Sequence, residues 1–321
     1  NLKINFRKDH WILEGIQHYY IKKYIDENYP EVKSFGKLSR LGILKKYKII
    51  NMNFSEQFIY NYLLMARRNI DQAVGTDKNT QIKFNEKIAG KLKSGLSLHY
   101  LNQYLEHNIV ENSIKEFVRK NKNKITNNKD FKNILEANSN QNLDWFFNEL
   151  IYSRNKIDYK ITNAKKANDS IEVTIKNLGD TQVPVSIYGY NNNKLVSKNW
   201  VENNAETFKF YVKNDSITKF VLNDNYEIPE INNNNNSYKL KNRFLGNRKI
   251  RFTFFKDIEN AKYNQVFYVP TAEFNLYDGL LLGIKFNNKS IIDKPFTYDI
   301  TPNLSTKTGT IAGYTGITFN H

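Results

Sequence analysis

The hydrophobic period of this chain changes once, near Ile157, and that switch limits the folds open to it. Before it, apolar residues recur at helical spacing; after it, they alternate with polar ones. Helices first and strands afterwards point to an α+β chain with separate helical and strand-built units, not to interleaved βαβ repeats. The 321 residues leave room for two or three modest domains. The expected divisions are 1–157 for a helical part, 158–238 for a β-sandwich and 239–321 for a further β-rich segment.

In the helical part, Leu13, Ile16, Tyr20 and Tyr24 share one face of a helix from Trp11 to about Tyr24. Ser55 is expected to cap a second helix with the stripe Phe58, Ile59, Tyr62, Leu63 and Ala66. A third covers Phe84 to Leu105, and a shorter one carries Ile114, Phe117 and Val118. Asp130 stands where an N-cap belongs, ahead of Phe131, Ile134 and Leu135. In the stretch from Asn142 to Tyr152, Leu143, Phe146, Phe147, Leu150 and Ile151 form a buried helical stripe.

Beyond the switch, Ile171, Val173 and Ile175, then Val183, Val185 and Ile187, then Phe208, Phe210 and Val212 alternate as half-buried strands do. The asparagine run 232–236 reads as a solvent-exposed loop or linker. In the last eighty residues Leu280, Leu282, Ile284 and Phe286 share a strand face, as do Phe296, Tyr298 and Ile300. Strands of about ten residues with one apolar face suit the wall of a transmembrane β-barrel. They equally suit an antiparallel sheet of a soluble domain, which pattern alone favours. About three such strands fall short of the eight or so that a small barrel needs.

The net charge of +16 is carried by lysines scattered through every segment. No Arg-rich helix, zinc module or aromatic RNA-binding signature accompanies it, so nucleic acid is not an expected partner. With no cysteine, disulfides and thiolate metal sites are excluded within these residues. No apolar run reaches the 18 residues or so of a membrane-spanning helix.

The stretch Trp11-Ile12-Leu13-Glu14-Gly15 resembles the W-L-N-E-G segment of the membrane alanyl aminopeptidase family, the gluzincin zinc peptidases. Four further segments follow in that family's order. Phe84-Asn85 with Lys93-Ser94-Gly95 looks like F-D…Y-x-K-G, and Asn142 through Phe147 like D-L-D-W-F-F. Asp158-Tyr159 is similar to the family's P-x-Y entry into a β-sandwich, without the proline. Leu222-Asn223-Asp224 through Pro229-Glu230-Ile231-Asn232 is similar to its closing V-D-P…P-E-x-N.

The resemblance implies a fragment of a zinc aminopeptidase acting on peptide N-termini, with Glu14 as the third zinc ligand. Two His and a catalytic Glu would come from an H-E-x-x-H helix expected just before Asn1, where zinc activates a water. No catalytic residue and no cofactor-binding residue besides Glu14 is expected within this chain. The family's oxyanion-donating tyrosine falls at Leu92, which has no donor; losing such a donor typically costs about 10²–10³ in rate. A non-catalytic envelope scaffold is therefore the alternative. His10, Glu14 and His18 lie one helical turn apart, but a straight helix spreads them over about 12 Å, too far for all three to share one metal. His18 could instead support Glu14, or simply pack.

Some Gram-negative relatives carry an outer-membrane barrel after the sandwich. Tyr277-Asp278-Gly279-Leu280 and Lys294-Pro295-Phe296-Thr297-Tyr298 resemble its opening strands. With that resemblance the expectation shifts to the start of a barrel, association with an outer membrane through the C-terminal strands, and a place in the Gram-negative envelope, periplasm or outer membrane.

Overall fold

The computed structural model describes residues 2–202, 205–213, 216–241 and 246–320. They divide into two compact units, Asn1–Val32 with Asn53–Arg243, and Lys33–Met52 with Phe244–His321. The mixture of helices and sheets is α+β, as the change of period requires.

The first unit begins with β1 (Lys3–Ile4) and the helices α1 (His10–Asn28), α2 (Glu56–Ala66), α3 (Gly90–Leu105) and α4 (Ile109–Lys120). The short β2 (Ile125–Thr126) pairs in parallel with β1 and leads into α5 (Asn128–Ser139). Trp11 is fully buried and meets the edges of Phe131 and Phe147, each at 6.1 Å between ring centroids. Two local expectations change. Asn127, not Asp130, caps α5; Asp130 sits three residues on and closes a capping box back onto the Asn127 backbone. The Ser55 hydroxyl donates to Asp26 and makes no cap bond to α2. The 142–152 stretch winds as a π-helix over Phe146–Ile151, with Phe146, Phe147, Leu150 and Ile151 buried as the stripe demands.

Helices α1 and α3 cross closely because two glycines stand at the crossing. A Cβ on Gly15 would lie 3.2 Å from Leu98 Cδ1 and 3.3 Å from Ser94 Cβ. One on Gly95 would lie 2.6 Å from His18 Cβ and 2.9 Å from the His18 carbonyl carbon. Hence the glycines of the Glu14-Gly15 and Lys93-Ser94-Gly95 segments share one physical cause.

The same unit continues through β3 (Tyr159–Ala167), β4 (Ser170–Asn177), β5 (Val185–Asn191), β6 (Lys194–Val201), β7 (Thr207–Val212), β8 (Lys219–Leu222) and β9 (Ser237–Lys239). They form an antiparallel sheet of order β3-β4-β7 and a second of order β6-β5-β8-β9. Ile171, Val173 and Ile175 from the first and Val185, Ile187 and Phe220 from the second join one buried cluster, which extends to Trp11 and Phe147 in the helical part. Tyr100 on α3 reaches the second sheet, stacking on Trp200 at 5.7 Å and donating its hydroxyl to the Pro184 carbonyl.

The asparagine run expected to be an exposed linker is instead part of a buried knot. Glu230 is fully buried; its Oε1 accepts from the Tyr159 backbone N–H at 2.7 Å. Its Oε2 accepts from Asn236 Nδ2 at 2.6 Å and Asn223 Nδ2 at 3.1 Å. Asn223 also donates to Asn233, and Asn235 to Asp158 at 2.8 Å. Amide side chains suit this role because each offers two donors and an acceptor to groups shut off from water.

Burial, reinforced by the charge of Asp158, pushes the Glu230 carboxyl up to about 8, and burial pushes Asp158 up to about 6. Both groups therefore hold a proton in the folded chain at pH values where the unfolded chain has released it. Stability then falls as pH rises from the ordinary carboxyl range towards about 8, and levels off above it. Urea denaturation of unit one at about pH 5 and about pH 8, followed through Trp11, Trp145 and Trp200, reads this fall as the difference between wild type and Glu230→Gln, because buried His99, kept neutral in the folded chain, changes stability in the opposite sense over part of the same range. Glu230→Gln should lose less stability than wild type between the two values, and an equal change in both would contradict the assignment.

The second unit holds β10 (Lys249–Phe254), β11 (Tyr263–Asn275), β12 (Gly279–Asn287), β13 (Phe296–Ser305) and β14 (Ile311–Phe319), hydrogen-bonded in that order. Only β10 and β11 are parallel. The sheet is open, with β10 and β14 at its edges and no closure into a barrel among the described residues. Residues 33–52 belong to this unit. Buried Asp257 accepts from the Lys48 N–H at 2.5 Å and the Ile49 N–H at 2.9 Å, and Arg251 donates to the Lys46 carbonyl at 2.9 Å.

Candidate functional site

Glu14 lies in the second turn of α1, beside the glycine that lets α3 approach. Its side chain is 16 % exposed, so its charge is only partly solvated and draws in cations. Lys78 Nζ donates to Oε1 at 2.8 Å, and Lys91, in the first turn of α3, stands 3.6 Å from the same oxygen. Lys78 is placed by a short 3-10 turn, Lys78–Thr80, capped by Asp77, whose carboxylate accepts from the Asn79 N–H.

His10 approaches from the preceding turn of α1, with Nε2 3.9 Å from Glu14 Oε2. Nδ1 faces the Arg7 carbonyl at 3.3 Å and Nε2 faces Gln81 Nε2 at 3.4 Å. That pairing assigns the proton to Nδ1 and leaves the Nε2 lone pair as an acceptor. Burial holds the imidazole below its usual range, against the opposing pull of Glu14, so the ring is neutral near pH 7.

The other histidine of the triplet does not join them. His18 Nδ1 bonds the Glu14 backbone carbonyl at 2.8 Å, one helical turn back, and its ring meets Phe58 edge-on at 6.4 Å. The side chain thus packs and caps a carbonyl and leaves the Glu14 carboxylate alone. Burial drives His99 down to about 3, which keeps it neutral; His321 lies outside the described residues.

The Leu92 side chain is buried and offers no hydrogen bond, while the Tyr100 hydroxyl is committed to Pro184. Asn85 serves the backbone, donating to the Ile70 carbonyl at 3.0 Å. Lys93 is buried with its ammonium 4.9 Å from the Tyr62 ring centroid, and burial lowers it to about 8.

A zinc ion needs three protein ligands at about 2.0–2.2 Å when they are nitrogen and oxygen donors. No group of three His, Cys, Asp or Glu among the described residues could hold a metal. Glu14 and His10 supply at most two donors, and one oxygen of Glu14 already faces two ammonium groups. These residues alone do not fit zinc; a metal there needs ligands from outside them.

Sequence reasoning placed Glu14 on a helix but missed Lys78, Lys91 and Gln81. Lys91 carried a weak signal, standing next to Leu92 on the helix expected over Phe84 to Leu105. Lys78 carried none, since it reaches Glu14 across 64 positions from an irregular turn.

No protein-family model matches the chain, and no curated protein matches its sequence. Among solved structures, the crystal structure of Legionella pneumophila aminopeptidase A in complex with aspartic acid overlaps 68% of this chain. The identity is 11% and the TM-score 0.45, and the match covers 23% of that protein's chain. At that TM-score the overlap assigns neither family nor activity.

Proposed function

We propose that these residues belong to a zinc aminopeptidase-like hydrolase of a Gram-negative cell envelope, to which Glu14 contributes one metal ligand. The observation that carries the reading is the setting of Glu14. A partly buried carboxylate stands at a glycine-lined helix crossing, balanced by Lys78 and Lys91, with the neutral His10 nitrogen 3.9 Å away. A dication held by ligands from outside this chain would take over the charge balance that the two lysines now supply. The ordered series of motif segments from Trp11 to Asn232 supports the same reading, and the two sheets of 159–239 are then its β-sandwich. The substrate class is peptides with a free N-terminus.

On this account the 321-residue chain alone takes up no zinc at micromolar concentration and hydrolyses no aminoacyl amide. The longer protein does both, and Glu14→Gln abolishes its hydrolysis. Appreciable peptidase activity in the isolated chain would sink the proposal.

A second reading, a non-catalytic peptidase-like scaffold, is favoured by Leu92, which is buried and has no donor to offer an oxyanion. The two separate on Leu92→Tyr in the longer protein. Restoring an oxyanion donor should raise the rate of an enzyme, by up to about 10²-fold, and leave a scaffold without activity.

A further inference from the structure

The five-stranded sheet of the second unit is inside out for a sheet in water. An antiparallel sheet with one solvated face normally turns its apolar side to the core and its polar side to solvent. Here the polar side is the covered one. Thr301, Ser305 and Asn303 are 0 %, 1 % and 4 % exposed, whereas Ile317, Phe252 and Phe319 on the opposite face are 61 %, 62 % and 67 % exposed.

The register makes this a continuous surface and not scattered exposure. Leu282 pairs with Leu304, Phe286 with Ile300, Tyr298 with Ile317 and Phe296 with Phe319, all on the outward face. No Asp, Glu, Lys or Arg occupies an outward position on any of the five strands, in a chain that is 25% charged. The charges of the sheet fall on the other side, where Lys285 and Lys289 meet Asp299 at 3.7 and 2.5 Å.

Two further features distinguish lipid from a protein partner. Aromatic rings recur across the outward face: Phe254 lies 5.6 Å from Tyr268, which pairs with Phe286, Phe296 lies 5.3 Å from Phe319 at one end of β13 and β14, and Phe274 stands near the far end of β11. Rings at the ends of lipid-facing strands, as Phe296 and Phe319 are, suit the interface between hydrocarbon and headgroups. Strand length matches in three of the five: β12, β13 and β14 have 9, 10 and 9 residues, close to the 9–11 that cross a bilayer when tilted at about 45°, while β11 has 13 and β10 has 6.

We infer that the outward face of the β10–β14 sheet lies against the hydrocarbon of a lipid bilayer, with its polar face turned away from lipid and its open edges, β10 and β14, paired by further strands. This assignment is independent of whether Glu14 meets zinc.

The absence of cysteine makes the test direct. Single variants Ile300→Cys, Ile317→Cys and Lys285→Cys of the full-length protein are labelled with an environment-sensitive fluorophore. They are then reconstituted in dioleoylphosphatidylcholine vesicles containing doxyl-labelled phosphatidylcholine. The lipid quencher should dim the probes at 300 and 317 severalfold and leave the one at 285 nearly unchanged. Unlabelled protein should float with the vesicles, and Leu282→Lys should reduce that partition roughly tenfold or more. Equal quenching at all three positions would overturn the inference. So would outward probes shielded from aqueous quencher yet untouched by doxyl lipid, because a second copy or another protein would then cover the face.

Discussion

Replacing Gly95 by alanine should destabilise the first unit by about 2 kcal/mol, although alanine is the better helix former by about 1 kcal/mol. The new methyl would stand 2.6 Å from His18 Cβ, 2.9 Å from the His18 carbonyl carbon and 3.1 Å from the Tyr19 nitrogen. Two of those three atoms are backbone of α1, so no side-chain rotation relieves the clash; the helices must move apart. Separation would loosen the buried surfaces of both, including Tyr19 and Leu98. Gly15→Ala is the internal control. Its methyl would meet only side chains closely, at 3.2 and 3.3 Å, and the nearer is the flexible end of Leu98. That contact should offset the propensity gain and leave stability within about 1 kcal/mol of wild type. Urea titration read by tryptophan fluorescence compares the two variants. Equal stabilities would contradict the close crossing.

Glu230→Ala should cost more, roughly 3–5 kcal/mol. The carboxyl satisfies three donors, the Tyr159 N–H and the amides of Asn223 and Asn236, in a site without solvent. Each buried donor left without an acceptor costs about 1–3 kcal/mol, partly recovered if water enters the space vacated. The loss should concentrate where β3 begins and β8 ends, because those are the segments the carboxyl joins. Hydrogen exchange at Tyr159 should accelerate with the global loss of stability. A variant within about 1 kcal/mol of wild type would show that the knot is dispensable.

What was legible in the sequence follows from how local each cause is. The strand runs Ile171–Ile175 and Phe208–Val212 and the stripe from Phe146 to Ile151 are set by periodicity, which a few residues express. The α5 cap was misplaced by three positions because Asn127 and Asp130 are both good capping residues; the capping box uses both, and only geometry says which begins the helix. The asparagine run looked like a linker because its composition is that of one. Its burial depends on a carboxyl and a strand entry that composition does not report.

The grouping of residues 33–52 with the last strands was hidden for a similar reason. It rests on backbone N–H groups bonded to Asp257 more than two hundred positions away. Around Glu14 the helix could be read directly, whereas the lysines that balance its charge could not. The outward apolar face was visible as alternation, but alternation does not say which side faces water; burial does.

The most direct test of the zinc account is the metal content of the full-length protein purified from cell envelopes without chelator, with and without Glu14→Gln. One zinc per molecule in the wild type, lost in the variant with the fold intact by circular dichroism, is the predicted result. A wild-type protein free of zinc, or a variant that keeps it, would contradict the role given to Glu14 and leave the scaffold reading in its place.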